Sequence, residues 1–178
     1  IVSVTNSQLR NNFAKGAGGV IYAKDDAQVT ISNSMIEHMP YSMDDEKYTS
    51  IIYNDGAEVT LNDVNIMSHM QSSSENSLPA IYNSGTLTIN ATKSDSQIEI
   101  MSVNAIQNSG ILNLNAAADK NIHITTFITG SNVKDSIINV NSDPNNTGFV
   151  NIDNAINSTV KFDYGTAKLY TAESSIVN

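Results

Sequence analysis

The sequence predicts an all-β protein: a right-handed parallel β-helix solenoid of about six coils, with three short strands in each coil. Three observations predict this fold, namely a phrase that recurs along the chain, an alternating triplet inside each copy, and turn residues beside the triplet. The clearest copies of the phrase lie at residues 51–62, 80–90 and 105–115, with looser copies at 20–32 and 136–141. The copies follow one another at intervals of roughly 25 to 30 residues, which is the spacing of a solenoid repeat.

The first strand of each coil is predicted at the triplet, where an apolar, a polar and an apolar residue follow one another. The five triplets are Val29-Thr30-Ile31, Val59-Thr60-Leu61, Leu87-Thr88-Ile89, Leu112-Asn113-Leu114 and Ile138-Asn139-Val140. A period of two residues indicates a strand, because a helix needs a period of about 3.6 residues. Beside the triplets, Asn54-Asp55-Gly56 and two Asn-Ser-Gly runs predict turns in which Gly or Asn takes a positive φ.

A second alternating strand follows each triplet, and a third strand opens each phrase. The second strands are expected around residues 35–37, 65–67, 97–100 and 121–124, and the third strands around 51–53 and 80–82. Three strands and three bends within one repeat complete one coil. Helical solenoids have repeats of similar length, but no stretch of this sequence carries the period of an amphipathic helix.

Stacked coils place equivalent residues above one another at a strand spacing of ~4.8 Å. The predicted interior columns are Val29, Val59, Leu87, Leu112 and Ile138; Ile31, Leu61, Ile89, Leu114 and Val140; and Ile21, Ile52, Ile81 and Ile106. The predicted polar columns are Thr30, Thr60, Thr88, Asn113 and Asn139 on the outer side, and Ser32, Asn62, Asn90, Asn115 and Asn141 at the bend. Stacked Asn amides are expected to hydrogen-bond along the bend column.

The organisation of the chain is interpreted as a single β-helix segment over residues 1–178, with regular coils over 1–141 and irregular C-terminal coils over 142–178. Strand-like sequence runs to the last residue, and neither end carries the amphipathic cap that terminal repeats normally have. Open strand edges invite pairing with another chain. The segment is therefore expected to belong to a longer chain or to an assembly.

The composition of the chain limits the kinds of molecule that it can bind. The formal net charge is −9, from 9 basic and 18 acidic residues, which argues against nucleic acid and anionic membranes because both attract a basic surface. No apolar run approaches the ~20 residues of a membrane span. The chain has no cysteine, and a β-helix with a continuous core needs no disulfide, so this composition remains compatible with export.

The first candidate binding surface is a column of aromatic residues on the third strand. Tyr22, Tyr53 and Tyr82 occupy the same place in three successive coils, and Gln107 follows them. If the neighbouring isoleucines point inward, the tyrosines point outward. Stacked Tyr rings with polar tips suit a glycan or a protein partner. The alternative interpretation is a ladder that only braces a bend of the coil.

The second candidate is the acidic run Asp44-Asp45-Glu46, which lies in the loop at 40–49. Calcium prefers several oxygen ligands of this kind, although consecutive acidic residues more often form a solvated loop, and we predict no metal and no cofactor. The loop at 71–79 lies one coil further on, so the two loops are expected side by side as a recognition surface.

The chain resembles the passenger domains of bacterial autotransporters and of the related polymorphic outer-membrane proteins, which are pectin-lyase-like β-helices. The resemblance rests on Gly18-Gly19-Val20-Ile21-Tyr22 and on residues 84–90 and 108–115, and it covers roughly residues 1–141. It implies an extracellular or bacterial cell-surface location and a role as an adhesin or stalk, with host or cell-surface glycans or proteins as partners. A filament that self-associates through open β-helix ends is an alternative function.

A polysaccharide-active enzyme of the same fold is a further alternative, although we predict a non-enzymatic protein. Enzymes of this fold place Asp, Arg, Lys and calcium on one outer face, and this chain has a single arginine, Arg10. Glu37 and Glu99 are expected in one outward column, roughly 9.6 Å apart, with Met67 between them and His123 one coil beyond Glu99. That separation is close to the range of two carboxyl groups that flank a glycosidic bond.

Overall fold

A computed structural model describes residues 1–12, 14, 17–38, 50–68, 79–100, 105–143, 145 and 147–178 of the chain. These residues form nineteen strands and no helix. The strands are β1 Val2–Thr5, β2 Gln8–Arg10, β3 Ile21–Lys24, β4 Gln28–Ser32, β5 Met35–His38, β6 Ile52–Asp55, β7 Glu58–Asn62, β8 Asn65–Ser68, β9 Ile81–Asn83, β10 Thr86–Ala91, β11 Ser96–Ile100, β12 Ile106–Asn108, β13 Ile111–Ala116, β14 Asn121–Gly130, β15 Ile137–Asn141, β16 Phe149–Ile156, β17 Thr159–Tyr164, β18 Thr166–Glu173 and β19 Ile176–Val177.

Each strand pairs in parallel with its equivalents in the neighbouring coils. The first sheet stacks eight strands in the order β1-β4-β7-β10-β13-β15-β17-β19. The second and third strands of the coils share another sheet, in the order β2-β5-β8-β11-β14-β12-β9-β6-β3, and β16 and β18 extend it from β14. Parallel neighbours that are one repeat apart define a solenoid. The protein is therefore an all-β parallel β-solenoid, which confirms the predicted fold class.

The number of coils differs slightly from the prediction. Four coils contain three separate strands, from β1–β3 to β10–β12. In each of the later coils the second and third strands merge into one long strand; these long strands are β14, β16 and β18. The pairing of β14 with β16 shifts register between Ile124 and Phe127, and Thr126 there has a φ of +65°. Such a β-bulge bends a strand without ending it, so these later coils have no separate third strand.

The C-terminal coils continue the same sheets. The stretches at 149–152, 160–162 and 168–170, which alternate apolar and polar residues, lie within β16, β17 and β18. These strands keep parallel register with the coils before them, and β17 pairs with β15 from Thr159 to Tyr164 with one irregularity after Val140. The phrase is lost here, but the period of two residues that forms the strands is retained.

The core contains the three apolar columns that the sequence predicts, together with inward residues of the second strands such as Ile36, Ile66 and Ile122. The register aligns the first two columns as predicted, from Val29 to Ile138 and from Ile31 to Val140. Every member of these columns is at most 4 % exposed. In the third column Ile52, Ile81 and Ile106 are completely buried, whereas Ile21 is partly buried. The burial of branched aliphatic side chains in each coil is the main driving force for this fold.

The predicted amide ladder is present at the bend after the first strand. The side-chain nitrogens of Asn90, Asn115 and Asn141 each donate to the amide oxygen of the preceding member, over 2.8, 2.8 and 2.9 Å. The Nδ2 atom of Asn62 donates to Oγ of Ser32 over 3.2 Å. The ladder therefore links five consecutive coils along the outer side of the first sheet.

Candidate functional site

Three tyrosines form a ladder on the outer side of the third strands. The register pairs Tyr22 with Tyr53 and Tyr53 with Tyr82. The ring centroids of Tyr53 and Tyr82 are 4.4 Å apart and their planes differ by 14°, so these two rings stack. The rings of Tyr22 and Tyr53 are 5.6 Å apart and tilted by 44°. We call these three residues the Tyr ladder.

The Tyr ladder presents mainly ring edges and hydroxyl groups. Tyr53 lies between the other two rings, so both of its faces are covered by aromatic neighbours. Tyr22 is the most open member, with 54 % of the residue exposed, and its hydroxyl lies 3.5 Å from a carboxylate oxygen of Asp55. A partner would therefore meet polar tips along the ladder and an accessible ring at Tyr22.

The packing of the ladder also affects its ionisation. Burial raises the pKa of the Tyr53 hydroxyl above its ordinary value of 10.0, and Tyr82, the Asp55 carboxylate and Tyr22 raise it further. The phenolate is disfavoured because it would lose solvation and meet negative charge. At neutral pH the centre of the ladder is therefore an uncharged hydroxyl that can both donate and accept hydrogen bonds.

A polar column borders the Tyr ladder at the ends of the same strands. The register pairs Lys24 with Asp55, and Ser84 and Ser109 follow directly after β9 and β12. Each serine hydroxyl donates to a backbone carbonyl of the preceding coil, over 3.2 and 3.3 Å. An aromatic centre beside a polar border is the usual anatomy of a recognition surface.

A buried amide ladder lies behind the Tyr ladder, and it was not predicted from the sequence. Asn54, Asn83 and Asn108 each follow the outward residue of the third strand and are completely buried. Asn54 donates to Oδ1 of Asn83, and Asn83 donates to Oδ1 of Asn108, both over 2.7 Å. The available signal was the Asn that stands two residues before Gly in three successive copies.

The turn prediction for these runs is partly wrong. Gly56 has a positive φ of +82° as predicted, but Asn54, Asn83 and Asn108 are not among the residues with positive φ. Gly85 has no positive φ either; a Cβ placed on it would lie 2.2 Å from the carbonyl oxygen of Ala57 in the preceding coil. Close approach of the backbones, rather than a left-handed conformation, therefore requires glycine there.

Several other sequence predictions lie outside the described residues. These are Asp44, Asp45 and Glu46, the loop at 40–49, and residues 71–78 of the second loop. Within the parts of the chain that the structure describes, no group of three His, Cys, Asp or Glu side chains is placed to hold a metal ion. The same parts contain no helix that is long and apolar enough to cross a membrane.

The strand register agrees with the predicted carboxylate column except at its histidine. The register aligns Glu37 with Met67 and Met67 with Glu99, and Glu37 forms an ion pair of 3.0 Å with Arg10. His123, however, aligns with Gln97 rather than with Glu99. The prediction for His123 was wrong because the strand register pairs Ile98 with Ile124, so the residue beside His123 is Gln97 and not Glu99.

A shallow polar groove follows the bend after the first strand, around Asp63. The carboxylate of Asp63 accepts hydrogen bonds from the backbone N–H groups of Thr92, Lys93 and Ser94, over 2.6, 2.9 and 3.2 Å. It also accepts one from the Thr92 hydroxyl over 2.9 Å. Because Asp63 is 6 % exposed and its oxygens are occupied by the chain itself, it serves to hold the turn at 92–94 rather than a ligand.

Comparison of the chain with protein-family models, with curated proteins and with solved structures found no match. The resemblance to bacterial passenger domains therefore rests on the sequence motifs alone. The parallel β-solenoid is established by the strand pairing itself.

Proposed function

We propose that the chain is a non-enzymatic, secreted or cell-surface β-solenoid that acts as a structural stalk and an adhesin. The observation that carries this proposal is the Tyr ladder, an ordered row of outward-facing aromatic rings on a scaffold with a continuous core. Aromatic side chains contribute large contact areas to recognition and lose little conformational entropy.

The scaffold supports an adhesive role because it holds the binding groups in place before a partner arrives. Tyr53 is fixed by its two ring neighbours, and the following residue, Asn54, is tied to the next coil by the buried amide ladder. Ordering a flexible side chain opposes binding by about 0.5–1.5 kcal/mol. Preorganised rings avoid much of this cost, and a repeated surface gains avidity when a partner is itself repetitive.

The partner class that fits the Tyr ladder is a glycan or a protein of a cell surface. Ring edges and neutral phenol hydroxyls lie beside the serine hydroxyls of the bordering column. This combination can contact both the apolar and the polar parts of a sugar or a protein loop. The location outside the cell follows from the resemblance to exported passengers.

The test is binding of the fluorescently labelled chain to a glycan array and to intact cells. We expect Tyr53→Ala and Tyr82→Ala to reduce binding at least tenfold. Tyr170→Ala is the matched control, because Tyr170 is 65 % exposed on β18 but lies outside the ladder. Binding that is unchanged in the ladder variants, or equally reduced in the control, would contradict the proposal.

A further inference from the structure

The outer side of the first sheet carries a second regular surface, separate from the Tyr ladder. We call the outward positions of β4, β7, β10, β13 and β15 the polar face; each of these strands contributes three of them. Among these described positions Glu58 is the only charged residue. The others are hydroxyl and amide side chains, apart from Ile111 and Ile137 at its border.

The low density of charge distinguishes the polar face from the side formed by the second strands. That side carries the ion pair of Arg10 with Glu37, at 3.0 Å, and the contact of His123 with Asp153, at 3.4 Å. An acidic polysaccharide or a nucleic acid needs cations on the protein. The polar face offers none at its defined positions, where Glu58 would repel an anion, and a single cation, Lys161 of β17, lies beside Asn139 at its end. One charge of each sign matches an uncharged ligand better than a polyanion.

The side chains of the polar face are already ordered. Besides the amide ladder at the bend, Asn139 donates to Oδ1 of Asn113 over 2.8 Å, and Asn113 donates to Oγ1 of Thr88 over 3.3 Å. An amide has two N–H donors and two lone pairs on its oxygen, so one bond in each direction leaves further capacity toward solvent. The face therefore presents donors and acceptors that repeat at ~4.8 Å along the axis.

An apolar strip accompanies these polar columns. Ile111 is 39 % exposed, and the register places Ile137 directly beside it in the next coil. Sugar rings combine hydroxyl groups with apolar C–H surfaces, so a strip of this kind beside hydroxyl and amide columns suits them chemically.

The size of the polar face favours a narrow ligand. Five strands span about 19 Å along the axis, and five residues span about 17 Å across it. The projected area of these positions is thus roughly 320 Å². The face also lacks the aromatic and arginine anchors of stable protein interfaces. A single extended chain fits it better than a second protein.

We propose that the polar face binds an extended, uncharged polysaccharide chain that runs along the solenoid axis. This inference rests on the proposed adhesive function but assigns a different surface and a defined chemical class of ligand. Hydroxyl groups of successive sugars would exchange hydrogen bonds with the Thr and Asn columns, and the sugar C–H groups would contact Ile111.

The experiment is a pull-down of the purified chain on insoluble cellulose and chitin, with polygalacturonate as the acidic comparison, at low and high salt. Thr88→Arg and Asn113→Arg place a long, positively charged side chain in the centre of the polar face. Both positions point outward, so the substitutions do not alter the packing of the core. Gln97→Arg makes the same charge change at an exposed position of β11. Denaturation midpoints of all variants establish that each is folded.

The expected result is retention on cellulose or chitin that high salt does not abolish, a loss of at least tenfold in both face variants, and no change in Gln97→Arg. No retention on either neutral polysaccharide would overturn the inference, as would retention that the face variants leave unchanged. Retention that is lost in Tyr53→Ala but kept in Thr88→Arg would also overturn it while supporting the Tyr ladder as the adhesive surface.

Discussion

The side-chain nitrogen of Asn83 donates a hydrogen bond of 2.7 Å to Oδ1 of Asn108, and both side chains are completely buried. The same nitrogen donates to the carbonyl oxygen of Ile111 over 3.1 Å, while the oxygen of Asn83 accepts from Asn54. Buried amides are tolerated only when they are paired in this way. This ladder ties together three of the coils, two of which carry rings of the Tyr ladder.

Removal of the central amide is expected to destabilise the fold strongly. In Asn83→Ala the Nδ2 atom of Asn54 keeps the carbonyl oxygens of Ala57 and Thr86 as acceptors, but the buried Oδ1 of Asn108 loses its donor. Such an unpaired buried group costs about 1–3 kcal/mol, and the hydrogen bonds made by Asn83 itself are lost as well. We expect a loss of about 2–4 kcal/mol in the free energy of unfolding. Urea denaturation measures it. Asn113→Ala, in a half-buried position on the outer side, is the matched control and should cost less than about 1.5 kcal/mol; equal losses would contradict the role of the buried ladder.

Two glycines in equivalent turns are expected to respond differently to alanine. At Gly85 a Cβ would lie 2.2 Å from the carbonyl oxygen of Ala57, so Gly85→Ala must push two coils apart and should cost about 3 kcal/mol or more. At Gly56 no atom lies within 4 Å of a Cβ, and only the positive φ opposes the substitution, at about 1–2 kcal/mol. Thermal or urea unfolding measures the loss of stability in both variants. A larger loss in Gly56→Ala than in Gly85→Ala would contradict this prediction.

The stability of the coil around Asp63 is expected to fall at acidic pH. Burial raises the pKa of the Asp63 carboxyl, but the bonds from Lys93, Thr92 and Ser94 outweigh it and hold the pKa below its ordinary value of 3.8. A depressed carboxyl pKa stabilises the fold fully above 3.8, and this contribution is lost as the pH falls through the folded-state pKa. Asp63→Asn should therefore be less stable than the native chain at neutral pH.

The pH profile of that difference is the measurement. Denaturation midpoints of the native chain and Asp63→Asn should converge as the pH falls below 3.8, because the native carboxylate becomes protonated there. A difference that stays constant across this range would show that the hydrogen-bonded carboxylate does not supply the stability.

The Tyr ladder should weaken at alkaline pH. Because the pKa of Tyr53 is raised, the folded chain retains a proton that the unfolded chain releases at alkaline pH. The contribution of Tyr53 to the stability of the fold is therefore fully present below pH 10.0 and declines as the pH rises above that value. Ultraviolet titration should show a phenol that ionises above pH 10.0 and that is missing in Tyr53→Phe. An identical titration curve for the native chain and the variant would contradict the proposed packing of Tyr53.

The sequence was sufficient to predict most of the fold because one residue period dominates it. The alternation at Val29-Thr30-Ile31 and its copies defined the first strands and the inward columns, since a strand has only two sides. The outward position of the Tyr column followed from the same argument. The number of coils was harder to predict. No local sequence signal at Thr126 indicates the β-bulge at which the second and third strands merge into one.

The buried amides could not be assigned from the sequence for a different reason. Asn before Ser-Gly or Asp-Gly is common in exposed turns, and the sequence alone does not show that Asn83 and Asn108 face inward. Their burial depends on the next coil, whose carbonyl groups complete the hydrogen bonds. One sequence pattern would have revealed the burial of these amides: each repeat has one Asn at a fixed distance from an interior isoleucine.

Tyrosine fluorescence tests the adhesive role of the Tyr ladder most directly, because the chain has seven tyrosines and no tryptophan to mask their emission. The native chain, Tyr53→Ala and Tyr170→Ala would each be titrated with the glycan that binds most strongly on the array. We expect a saturable change in emission for the native chain and Tyr170→Ala, and at least a tenfold weaker response in Tyr53→Ala. Equal binding curves for all three chains would contradict the adhesive role.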